Sequence, residues 1–131
     1  MRRPARMAFM CLVALAWKVH PRWRLLMAGN RDEFHARPTA SLATWGEAPG
    51  VAAGRDLQSG GTWVGLGLDD GRCSVVTNVR DPMAPSTRAP SRGQLPACFL
   101  ASDDSATQHA AALMAEAGLY APFNALFIDT D

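Results

Sequence analysis

The feature that most restricts this chain is a hairpin written into residues 62–78. Thr62-Trp63-Val64-Gly65-Leu66-Gly67-Leu68 alternates with a period of two, Asp69-Asp70-Gly71 supplies the reversal, and Arg72-Cys73-Ser74-Val75-Val76-Thr77-Asn78 returns. A period of two suits a strand and no helix, and an Asp-Gly turn matches the twist of two antiparallel strands. The alternation puts Val64, Leu66 and Leu68 on one face and opens the other, beside Trp63, at Gly65 and Gly67. Cys73 falls in the returning strand as a core residue. The chain is therefore committed to an antiparallel sheet.

A second hairpin precedes it. Leu12 to Val19 is an apolar run of strand length, His20-Pro21-Arg22-Trp23 turns, and Arg24-Leu25-Leu26-Met27-Ala28-Gly29 returns. Pro21 fixes its own φ and lacks an N–H, which favours reversal at that point. A four-residue connection opposes Val19 with Arg24, and counting back opposes Cys11 with Asp32, within a slip of one or two residues. The strand delivers Asn30-Arg31-Asp32-Glu33, four polar side chains that must bond one another or serve something outside the fold, since burying them unpaired costs several kcal/mol. Any nearby register brings Cys11 within reach of that group.

Leu42-Ala43-Thr44-Trp45 reads as a short strand after an excursion from Phe34 to Ser41. Val51-Ala52-Ala53-Gly54 then delivers a second Arg-Asp pair, Arg55-Asp56, next to Ser59-Gly60-Gly61, whose backbone is free to approach a ligand. An ordinary turn with a surface ion pair accounts for the same residues. Arg80 to Pro90, with three prolines, is a loop long enough for a lid. Ser91-Arg92-Gly93-Gln94 has capping-box spacing, with Pro96 restricting the helix to a start near Leu95. Ser105-Ala106-Thr107-Gln108 is a cleaner box, opening a helix through Ala117 that stops at Gly118, with His109 on its solvated side. Phe123 to Asp129 reads as a further strand. Strands, then helices, then a strand make an α+β fold. A core strand so near the last residue implies a truncated polypeptide or a partner that supplies the rest.

The 131 residues allow one domain or part of one, and 48% hydrophobic content suits a globular core. With 13 basic and 12 acidic residues dispersed along the sequence apart from a small N-terminal cluster, there is no electrostatic footprint for nucleic acid. No apolar run approaches the roughly 20 residues that span a bilayer. Cys11, Cys73 and Cys98 are an odd number without zinc or redox-dithiol spacing, which favours free thiols in a reducing, cytoplasmic compartment. No G-x-S-x-G elbow accompanies the three histidines. His35 near Asp32 and Glu33 lacks the partners of a metal site. A thiol beside Arg31 is the more attractive nucleophile, because a neighbouring cation favours the thiolate.

The N-terminus has two readings of opposite consequence. Arg2, Arg3 and Arg6 before Met7 to Ala16 resemble a short secretory signal, with Ala14-Leu15-Ala16 as its cleavage site. Alternatively Met10 is the initiator, residues 1–9 are an upstream extension, and removal of Met10 leaves Cys11 first, where its free α-amine can act as base.

Six blocks carry a resemblance: Met10-Cys11-Leu12; Asn30-Arg31-Asp32-Glu33-Phe34 with Arg37-Pro38; Ala53-Gly54-Arg55-Asp56-Leu57; Gly60-Gly61-Thr62-Trp63; Thr77-Asn78-Val79-Arg80-Asp81-Pro82; and Ser91-Arg92-Gly93. Together, in this order, they resemble the NRDE family, also called the transport and Golgi organisation protein 2 family, over residues 10–131 and over only the N-terminal half of its usual length. That family is similar to the N-terminal nucleophile (Ntn) hydrolases. The resemblance implies an αββα sandwich of antiparallel sheets and cleavage of a non-peptide amide bond. Cys11 would be nucleophile and base, Arg31 and Asp32 would orient its amine and the substrate, and Asn30 could equally take one of these roles. Glu33, Arg55, Asp56, Trp63 and Asn78 would line the substrate site, whereas oxyanion donors have no counterpart. The eukaryotic branch is associated with haem trafficking, lipid metabolism and Golgi organisation. A non-catalytic protein that binds haem or another small hydrophobic ligand is thus the rival expectation, with haem as cargo and no resident cofactor.

Overall fold

The computed structural model describes residues 11–79 and 89–129. They fall into two compact units, one ending at Phe34 and the other beginning at His35. Residues 1–9, Met10 and most of the Arg80 to Pro90 loop read as a lid lie outside the described residues.

The first unit is a hairpin of β1 (Leu12–Trp17) and β2 (Leu25–Asn30), paired from Leu12↔Asn30 to Trp17↔Leu25. This register is one residue from the one obtained by counting a four-residue turn. Lys18 adopts φ 55°, and its N–H donates to the Arg24 carbonyl at 2.7 Å. Five residues, Val19 to Trp23, therefore make the connection. No described residue of this unit is buried.

The second unit holds a five-stranded antiparallel sheet in the order β3-β4-β5-β6-β7, formed by Thr39–Trp45, Ala48–Asp56, Val64–Gly67, Cys73–Asn78 and Phe123–Ile128. Two helices, α1 (Gln94–Ala101) and α2 (Ala106–Glu116), lie between β6 and β7 in the chain, and a 3-10 turn, Ala117–Leu119, follows α2. The fold is mixed α+β.

The core is built where α1 meets the sheet: Val51 and Ala53 of β4, Trp45 of β3, and Ala97, Phe99 and Leu100 of α1. The Trp45 indole N–H donates to the Ala53 carbonyl at 3.2 Å, which settles the one polar atom this ring brings inside.

The packing decides which face of the β5 alternation is covered. Gly65 is buried, and a Cβ there would stand 2.6 Å from Leu100 Cδ1, so Gly65 lies beneath α1, whereas a Cβ at Gly67 would meet Asp70 and Arg72. Leu66 and Leu68 are 46% and 54% exposed on the other face. Gly65 permits close approach of α1, and that decides which face is covered.

The helix starts differ too. At α2 the capping box forms as written, with the Ser105 hydroxyl accepting from Gln108 N–H and the Gln108 side chain accepting from Ser105 N–H. At α1 no side chain caps. Gln94 is drawn away, its amide donating to the Ser59 carbonyl at 2.8 Å, while Ser91 Oγ accepts from Gly93 N–H. His109 is not on a solvated face: its ring is 14% exposed and lies 4.8 Å and 5.2 Å from the ring centroids of Phe127 and Phe99. Helix α2 needs an apolar stripe against β7, and the imidazole fills part of it.

Candidate functional site

In the first unit the polar group at the exit of β2 meets the residue that precedes β1. Asp32 N–H points at Cys11 Sγ at 3.3 Å. The Asn30 side-chain carbonyl accepts from Leu12 N–H at 3.2 Å, closing the open end of the hairpin by a side chain rather than by a further ladder bond. Arg31 Nη2 and Glu33 Oε2 pair at 3.2 Å with about a quarter of each side chain exposed (24% and 23%), and Glu33 Oε1 also accepts from Phe34 N–H. Cys11, Asn30, Arg31, Asp32 and Glu33 are thus gathered at one end of one hairpin.

Chemically, this is a partly exposed thiol with a backbone donor fixed on its sulfur and a guanidinium on the neighbouring residue. A fixed N–H holds the side chain in one orientation, and it can carry negative charge that collects on sulfur. Asn30 bonds Leu12, so it orients the strand that carries the thiol.

The other four expected residues lie in the second unit, where each has a place in the local structure. Arg37 grips Asp56 through Nε at 2.8 Å and Nη2 at 2.7 Å, and Asp56 Oδ1 accepts from the Gln58 and Ser59 amides. Partial burial alone would raise the Asp56 carboxyl, but the Arg37 guanidinium and the two amides outweigh it and hold the group at about 2. Arg55 lies over the Trp45 ring at 4.4 Å, donates to the Gly60 carbonyl and pairs with Glu47. The Glu47 carboxyl is lowered by its own backbone amide and then by Arg55. The Trp63 carbonyl accepts from Val76 N–H at 2.8 Å, and Asn78 sits exposed at the end of β6 opposite Phe123.

The glycine pair expected to admit a ligand is used by the protein itself. A Cβ at Gly61 would fall 2.4 Å from the Gly93 carbonyl group, and Thr62 N–H donates to the Gly93 carbonyl at 3.0 Å. Gly60 has φ 78°, a conformation that favours glycine.

Sequence reading missed two residues that organise this unit. Arg37 lies 19 positions from its partner, and no local pattern announces the pair. Arg72, only 6% exposed, donates to the carbonyls of Ser102 and Asp104, and its Cζ lies over the Phe99 ring at 4.0 Å from the centroid. An arginine directly after an Asp-Asp-Gly turn looks like surface, and nothing in its spacing marks it as buried. It borders an open hollow of about 350 Å³ where Asp103, Asp104 and Asp129 approach the start of α2. The Asp129 carboxylate accepts from Ala106 N–H at 2.6 Å, adding negative charge at a helix N-terminus. Among the described residues no three His, Cys, Asp or Glu side chains converge as a metal-ligand group.

An antiparallel α+β scaffold with a thiol-bearing hairpin gives the class, and comparison with known proteins gives the family. Residues 10–131 match the family model of Transport and Golgi organisation 2. The chain belongs to that family. It is similar to the Transport and Golgi organization protein 2 homologs of Bos taurus (34% identical over 127 residues) and Homo sapiens (31% over 127). It is also similar to Transport and Golgi organization protein 2 of Drosophila melanogaster (32% over 130). Each match covers 92% of this chain and 45% or 46% of the relative. The chain therefore spans about half the length of the curated relatives it matches.

Proposed function

We propose that this chain carries the nucleophile-bearing part of a cysteine N-terminal-nucleophile hydrolase that cleaves a non-peptide amide bond, in a fold of the αββα sandwich type. The observation that supports the reading is the Cys11 thiol held against the Asp32 amide at 3.3 Å, with Arg31 adjacent in the chain. With Cys11 as first residue, its α-amine takes the thiol proton and sulfur attacks the amide carbonyl carbon. The C–N bond then breaks, the amine leaves with the proton, and a thioester remains on Cys11. Water, deprotonated by the same α-amine, releases the acid and restores the thiol. Arg31 and Asp32 orient amine and substrate, Asn30 and Glu33 border them, and Arg55, Asp56, Trp63 and Asn78 are the proposed substrate contacts. The free state of Cys11, Cys73 and Cys98 supports a reducing, cytoplasmic setting.

Two forms of the chain test this, one beginning at Met1 and one beginning at Cys11, both carrying Cys98→Ala because the exposed Cys98 thiol would itself react, each treated with a thiol-directed acyl probe and read by intact mass. Only the form beginning at Cys11 gains one acyl group, and Cys11→Ala abolishes the gain. Equal labelling of both forms, or labelling that survives Cys11→Ala, rejects the nucleophile.

The exposed apolar side chains of the hairpin, Leu12 at 66% and Leu15 at 48%, support a second reading, a non-catalytic carrier of haem or another small hydrophobic ligand. It requires saturable haem binding that survives Cys11→Ala and stabilises the fold. A thermal transition unmoved by haem eliminates it.

A further inference from the structure

The tip of the first hairpin is the five-residue connection Val19-His20-Pro21-Arg22-Trp23 with Lys18 and Arg24 flanking it, beyond the ends of β1 at Trp17 and β2 at Leu25. Its apolar side chains face solvent where a turn is ordinarily polar: Val19 is 75% exposed and Trp23 55%. Lys18, Arg22 and Arg24 are exposed among them, and Lys18 Nζ stands 5.1 Å from the centroid of the Trp17 ring. From Cys11 to Arg31 there is no acidic residue. The chain as a whole is close to neutral, with a formal net charge of +1, so the cations of this tip are a local concentration.

We propose that the tip of the β1–β2 hairpin is a peripheral docking element for a bilayer surface rich in anionic phospholipid. Exposed tryptophan and aliphatic side chains beside Lys and Arg form the combination that partitions into the headgroup region, rings at the acyl boundary and cations against phosphate and carboxylate. Each basic residue near an anionic leaflet strengthens binding about fivefold, and three of them with one indole and one isopropyl group give reversible rather than permanent attachment. The proline-containing turn presents these side chains on a short, preorganised loop. A nucleic acid fits less well, since three cations neutralise few phosphates and an exposed valine gains nothing on a charged backbone.

The test uses the full 131-residue chain with extruded vesicles, read by co-sedimentation and by quenching of tryptophan fluorescence by bromine-labelled acyl chains. Binding is expected to vesicles with about 30 mol% phosphatidylserine and to weaken on raising salt from about 0.1 to about 0.5 M, with phosphatidylcholine alone binding about tenfold less. The quenching is expected to fall sharply in Trp23→Phe. The double change Lys18→Glu and Arg22→Glu is expected to weaken binding by about tenfold or more. Val19→Asp is expected to weaken it at unchanged charge on the three basic residues. Circular dichroism checks that each variant is folded. The wild-type salt dependence and quenching stand even where a variant fails that check. Equal binding to neutral and anionic vesicles, unquenched tryptophan in the bound protein, or tighter binding to a single-stranded RNA of matched charge would each overturn the proposal.

Discussion

The two units of this chain are built from the same kind of segment, apolar strands of six or so residues, and they end in opposite states. In the second unit Phe99 is fully buried and Val51, Ala53 and Cys73 are 2% exposed or less, because a helix closes on the sheet. In the first, β1 and β2 have comparable aliphatic content, yet Leu12, Leu15 and Leu26 are all more than 40% exposed. Strand-forming sequence sets the pairing; burial in the second unit comes from the helix that packs on its sheet. Stability should therefore reside in the second unit and the candidate chemistry in the first.

The most severe way to break that contrast is Phe99→Ala. It removes a ring that meets Arg72, His109 and Phe127, and should cost about 4 kcal/mol in a urea melt, whereas Leu15→Ala in the hairpin should cost under about 1 kcal/mol. Comparable losses would erase the distinction. Gly61→Ala comes next. The new methyl group would meet the Gly93 backbone, and a loss of about 2 to 3 kcal/mol is expected. A neutral result would mean that the two loops can separate freely.

Acid supplies a smaller effect with a defined sign. The Asp56 carboxyl titrates at about 2 in the fold against an ordinary 3.8, so its contribution is complete above the ordinary value and lost as pH falls through about 2. The expected contribution is about 1 to 2 kcal/mol, and it should shrink in Arg37→Ala, where only the Gln58 and Ser59 amides still favour the carboxylate, as acid melts of both proteins would show. The smallest expected effect separates the thiols. Burial pushes Cys73 up to about 11, so an alkylating agent at pH 8 should modify exposed Cys98 first and Cys73 only on unfolding. Early loss of Cys73 would mean that the sheet opens where it is described as closed.

Much of this architecture was legible from local chemistry. Asp69-Asp70-Gly71 announced its hairpin, Ser105 with Gln108 announced the start of α2, and Cys11 beside Asn30 to Glu33 followed from counting pairs across a turn. What was not legible depended on distant choices. Whether the leucines or the glycines of β5 face the helix turns on how closely α1 approaches, and period-two alternation is symmetric with respect to that. The Ser91–Gln94 box failed because Gln94 found the Ser59 carbonyl, 35 residues earlier in the chain. Arg55-Asp56 looks in sequence like a repeat of Arg31-Asp32, but Asp56 is held by Arg37, while the amide of Asp32 addresses a sulfur. The same dipeptide acquired different neighbours because different strands preceded it.

Arg72 has a consequence for motion. One guanidinium holds the carbonyl at the end of α1 and another just before α2, and it rests on the ring at the centre of the core. Neither helix end can fray without releasing the same side chain, so the joint has no cheap partial opening. Amide hydrogens on both sides of it, at Ser102 and at His109, should exchange with solvent in step, as parts of one cooperative opening.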